Sequence, residues 1–141
     1  MKQWILPILL LFALVSCGEA QQSNGNTNTV QKNFKSENIS VEQFKELIKD
    51  PSKVTILDVR TDKECNAGMI PGAVQLDYYK KKEFKDNLAK LPKDKPVLIY
   101  CAVGGRSSSA IKDLQEAGFT TVYNLNGGMD AWKDKKMPLK Q

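Results

Sequence analysis

The stretch V-L-I-Y-C-A-V-G-G-R-S-S-S, Val97 to Ser109, decides the fold. Val97 to Tyr100 is a short apolar run of β-formers, and from Ser107 onward the chain can start a helix, so Cys101 to Arg106 is a strand-to-helix loop. Gly104 and Gly105 let that backbone turn inward, and such a loop collects backbone N–H groups around whatever lies at its floor. Here the floor is the thiol of Cys101. The helix N-terminus and the Arg106 guanidinium both favour an anion, so the pattern predicts a thiol that ionises below its free value of about 8.5. The backbone of Ala102, Val103, Gly104, Gly105 and Ser107 supplies the candidate donors to a bound anionic group.

Working outward, strands and helices alternate. Ser40 with Gln43 forms a capping box ahead of Val41, Phe44, Leu47 and Ile48, which predicts a helix ending near Lys49, before Pro51. Val54 to Val59 reads as a buried strand with Asp58 near its end, and Thr61 with Glu64 caps a short helix stopped by Gly68. Ala73 to Leu76 reads as a strand, and Phe84 and Leu88 mark a helix that stops before Pro92. Beyond the loop come a helix over Ser107 to Ala117, a strand over Val122 to Leu125 and a helix over Gly128 to Lys133. This alternation predicts an α/β fold with a parallel sheet covered on both faces and its site at the carboxyl ends of the strands. Cys101 lies at one such end, and Asp58 and Arg60 lie at another.

The 141 residues, 41% hydrophobic and 26% charged, suit one globular domain with an extension. The net charge of +5 comes mostly from Lys80 to Lys82, Lys133, Lys135 and Lys136, which stand among polar residues rather than aromatics. That pattern describes a solvated surface and argues against nucleic-acid binding. The chain has no histidine, so neither a Cys-His pair nor a histidine-based zinc site can form, and no metal or cofactor is expected.

Three stretches stand out: L-D-V-R-T-D-K-E-C-N-A-G-M-I-P-G-A (Leu57 to Ala73), the loop C-A-V-G-G-R-S, and V-Y-N-L-N-G-G-M-D-A-W (Val122 to Trp132). Together they resemble the rhodanese family, sulfurtransferases that carry sulfur as a cysteine persulfide. The resemblance implies a rhodanese-like domain over residues 38–141, with a central parallel sheet of about five strands and helices on both faces. It assigns Cys101 and Arg106 as catalytic, and Asp58 and Arg60 as residues that brace the active loop or form a plain internal ion pair. The chain departs from the family pattern at Ala102, where a cation is common in thiosulfate-using members, at Met69, where histidine is usual, and at Cys65, where an aromatic is common. Cys65 is read as a small buried residue, with a resolving thiol as the alternative.

Trp4 to Val15 is an apolar stretch of 12 residues, too short to span a bilayer comfortably and suited to a signal peptide over residues 1–16. Ending at L-V-S-C, it resembles a bacterial lipoprotein signal, which implies lipid on Cys17 and a domain tethered in the cell envelope outside the cytoplasm. Glu19 to Ser36 is polar and reads as a flexible tether, about 25 Å in typical end-to-end distance, so the lipidated cysteine and tether together occupy residues 17–37. Within it, Val30 and Phe34 are the candidates for touching the folded part.

The predicted chemistry moves a sulfane sulfur from a small donor of the thiosulfate, polysulfide or mercaptopyruvate class to a thiol, cyanide or protein acceptor through Cys101. Two alternatives stand beside it: a binding or sulfur-carrier module without turnover, and a cysteine phosphatase or arsenate reductase. The C-x4-R spacing of the loop is tighter than the C-x5-R that phosphatases resemble.

Overall fold

Every residue of the runs Thr55–Asp58 and Val97–Tyr100 is buried, the mark of central strands covered on both faces. They are β2 and β4 of a five-stranded sheet in a computed structural model that describes residues 33–141. The signal peptide, Cys17, Val30 and most of the tether lie outside the described residues. The elements follow as β1 (Lys35–Ile39), α1 (Val41–Leu47), β2, α2 (Asp62–Asn66), β3 (Val74–Gln75), α3 (Lys81–Leu88), β4, α4 (Gly105–Glu116), β5 (Thr121–Leu125) and α5 (Gly128–Asp134). The spatial order is β1-β5-β4-β2-β3, and all pairs are parallel.

Side chains alternate across the strands and build two cores. Leu57, Val97 and Ile99 face Phe84 and Leu88 of α3 and Ala110 and Leu114 of α4. Ile56, Leu98 and Tyr100 face Val41 and Phe44 of α1 and Met129 and Trp132 of α5. Helices therefore cover both faces, as the alternation predicts. Trp132 is fully buried, and its indole N–H donates to the Pro138 carbonyl at 2.9 Å. The capping boxes at Ser40 and Thr61 both form.

The structure corrects the sequence reading at two places. Lys35, Ser36 and Glu37, assigned above to the tether, pair with Thr121, Val122 and Tyr123 as the first three residues of edge strand β1. Four of its five residues are exposed, so it is held by main-chain hydrogen bonds and leaves no apolar pattern to read. Phe34, just before it, packs partly buried against the α3/α4 core. The second correction moves the start of α4 from Ser107 back to Gly105. Gly104 makes this possible by taking a left-handed conformation, φ +115°, at the N-cap, which places Arg106 inside the first helical turn.

Candidate active site

Val97 and Ile99 lie on one face of β4, and Cys101, the residue after its end, continues that row against α4 and is itself only 1% exposed. The loop then folds back over it. The Gly104 amide donates to Sγ at 3.0 Å, and the Ser107 hydroxyl lies 3.5 Å from Sγ and 3.1 Å from the Gly104 carbonyl. Burial pushes the Cys101 thiol up, but the Ser107 hydroxyl and the amides of Ser107, Gly104 and Val103 outweigh it and hold the group below its ordinary value. Of the remaining residues named from the sequence, Val103 and Gly105 are exposed and Ala102 is half-buried, so one layer of loop separates the sulfur from solvent.

Arg106 stands behind this cradle rather than in it. Its Nη1 and Nη2 donate to Glu64 Oε2 and Oε1 at 2.8 and 2.6 Å, a two-point ion pair, and the guanidinium lies 5.2 Å from the Tyr79 ring centroid. The direct hydrogen bonds on the sulfur come from the Gly104 amide and the Ser107 hydroxyl, and the Arg106 guanidinium is engaged by Glu64 instead. The Arg106 guanidinium in turn holds the Glu64 carboxyl down at about 2.

Glu64 is the partner of Arg106 that sequence reasoning missed. It was legible only as a capping residue, and it does cap α2, accepting from the Thr61 amide at 3.0 Å and the Thr61 hydroxyl at 2.8 Å. The same carboxylate reaches across 42 positions to Arg106. The structure supplies a physical reason for the pairing: with α4 starting at Gly105, Arg106 is a cation in the first helical turn, where it opposes the helix dipole and a nearby carboxylate offsets it.

Asp58 and Arg60 form a buried pair, 0% and 3% exposed, with Arg60 Nε on both carboxylate oxygens at 2.9 and 3.0 Å and Nη2 on Oδ2 at 2.6 Å. Two further Arg60 protons go to the carbonyls of Gly68 at 2.8 Å and Glu64 at 3.3 Å. The pair thus grips α2 and its exit rather than the Cys101 loop itself. Its influence on the loop is indirect, through the α2 residue that holds Arg106. Cys65, also on α2, is a free buried thiol that burial and then the Asp58 charge push up to about 12, so it packs as a neutral side chain.

The loop is also held from the opposite core. The amides of Met129 and Asp130, in the first turn of α5, donate to the carbonyls of Cys101 at 2.8 Å and Ala102 at 3.0 Å. Gly128 allows this approach, because a Cβ built there would lie 2.6 Å from both carbonyl oxygens. From the sequence alone, Gly128 reads only as the first residue of a helix.

Comparison with known proteins places this architecture. The Rhodanese-like domain family matches residues 40–135. The chain belongs to the rhodanese family. Similar proteins include a sulfurtransferase of Allochromatium vinosum, 36% identical over 101 residues that cover 72% of this chain and 92% of that protein. The thiosulfate sulfurtransferase GlpE of Coxiella burnetii is 39% identical over 80 residues, 57% of this chain and 72% of that one. Among solved structures, a rhodanese-like domain protein from Staphylococcus aureus aligns with a TM-score of 0.62 at 32% identity, covering 74% of this chain and 99% of that one. A Staphylococcus saprophyticus protein aligns equally well, TM-score 0.62 at 36% identity, with the same coverage. The rhodanese domain accordingly has the five-stranded parallel sheet and two-sided helical cover that the resemblance implied.

Proposed function

We propose that this rhodanese domain is a sulfurtransferase that carries sulfane sulfur on Cys101. The observation that carries the reading is the Gly104 amide, 3.0 Å from Sγ, in a loop whose hydrogen bonds favour the thiolate. The thiolate attacks the outer sulfur of the donor. A new S–S bond forms at Sγ, the donor's own bond to that sulfur breaks, and its electron pair leaves on the donor remnant. In the second step a thiol, cyanide or protein nucleophile attacks the outer sulfur, and the pair returns to Sγ as thiolate. The hydrogen-bond donors around Sγ stabilise the anion that is present before the first step and restored by the second. With Cys101 1% exposed, sulfur uptake requires the loop to open, which two consecutive glycines permit.

The charge balance at the loop bears on the donor. Arg106 is already matched by Glu64, and the side chains of Ala102 and Val103 bring no cation. This favours mercaptopyruvate or an organic polysulfide over the thiosulfate dianion. In a thiocyanate-release assay, kcat/KM for thiosulfate should be lower by about tenfold or more, a difference of about 1.4 kcal/mol. Glu64→Gln, which frees the Arg106 charge, should narrow that gap; a protein that prefers thiosulfate contradicts the donor assignment.

We also propose that Cys17 bears lipid and tethers the domain in the bacterial cell envelope, on the strength of the L-V-S-C ending of the apolar stretch. Cys17→Ala should release the protein from the membrane fraction or block its processing. Unchanged membrane retention and processing would refute the anchor.

A further inference from the structure

The orientation of the cradle has a cause outside the loop. A trans peptide points its C=O and the following N–H in opposite directions, and the described residues contain no cis bond. The Ala102 carbonyl is taken by the Asp130 amide at 3.0 Å, so the Val103 N–H in the same peptide plane must face away from α5. Cys101 packs in the core on the face of the sheet opposite to α5, so this N–H points to the sulfur's side, and the Val103 amide is one of the groups that favour its thiolate. The neighbouring Cys101 carbonyl is pinned in the same way by Met129 at 2.8 Å, which fixes the residue that carries the sulfur. Both bonds need a backbone approach that only glycine permits. Gly128 sits at φ +57°, and an added Cβ would meet the oxygens of Cys101 and Ala102 at 2.6 Å and the Ala102 carbonyl carbon at 2.8 Å.

We propose that the first turn of α5, admitted by Gly128, is a positioning element that turns the Val103 amide onto the Cys101 sulfur and so sets how readily that thiol ionises. The inference deepens the persulfide reading, yet it concerns the resting thiol and can be tested without turnover. It assigns Gly128 and the Asp130 amide a role in the chemistry although neither touches the sulfur.

The test is the pH dependence of Cys101 alkylation by iodoacetamide in the full chain, followed by mass mapping of the Cys101 peptide so that Cys17 and Cys65 do not interfere. Gly128→Ala pushes a methyl against the two carbonyls. Asp130→Pro removes one N–H that no intrahelical bond uses, at an exposed position in the first helical turn, and decides the matter if Gly128→Ala does not fold. Asp130→Pro should raise the alkylation midpoint by about one pH unit, a roughly tenfold loss of thiolate at a fixed pH below both midpoints. Asp130→Ala keeps the amide and should leave the midpoint in place. An unmoved midpoint in folded Asp130→Pro, or an equal shift in Asp130→Ala, overturns the proposal. Failure of the parent protein to take up sulfur from any donor would instead overturn the sulfurtransferase reading and leave the thiol measurement standing.

Discussion

Asp58→Ala is expected to destabilise the domain by about 3–5 kcal/mol, the cost of leaving a buried charge without its partner. Arg60 is 3% exposed and spends Nε and Nη2 on a carboxylate that is itself fully buried. Its other contacts are the neutral carbonyls of Glu64 and Gly68 and the Tyr100 ring, 5.6 Å from the guanidinium, none of which carries a balancing charge. For a domain whose whole stability is of order 5–15 kcal/mol, such a loss brings the folded state near its limit. Urea unfolding should show the midpoint falling with the slope unchanged. A loss under about 1 kcal/mol would mean that water or another group reaches Arg60, and the pair would then be no anchor for α2.

Cys101→Ser is expected to lower sulfur transfer to cyanide by about 10³-fold or more, because the serine hydroxyl cannot hold a sulfane sulfur. The fold should be retained, since serine is close to cysteine in size. In the parent protein the rate of sulfur loading should follow the thiolate. The hydrogen bonds lower the Cys101 value, so loading should persist at pH values below the free-thiol value of about 8.5 and fall as the pH drops through the lowered one. A rate that instead declines at pH values near 8.5 and above on the way down would mean the cradle does not favour the anion.

The sheet and its helices were legible because their signals are local. Capping boxes at Ser40 and Thr61, apolar runs at β2 and β4, and glycine at the head of α4 each act within a few residues. Edge strand β1 was hidden because its side chains are polar and its hydrogen bonds belong to β5, some 86 positions away. The cysteine and its loop could be read from one segment. Their supports could not, because each joins distant parts of the chain. Glu64 comes to Arg106 from α2, and the Met129 and Asp130 amides come to the loop from α5. Asp58 and Arg60 were placed correctly as residues at a strand end, but their contacts with α2 depend on where Gly68 turns the chain.

The central claim is that Cys101 accepts a sulfur and gives it up. The intact mass of the purified domain, measured before and after exposure to thiosulfate, mercaptopyruvate and an organic polysulfide, tests it most directly. A gain of one sulfur atom on Cys101 is expected with at least one donor, lost again on adding cyanide and absent in Cys101→Ser. An unchanged mass with every donor, or a gain that Cys101→Ser shows equally, would contradict it.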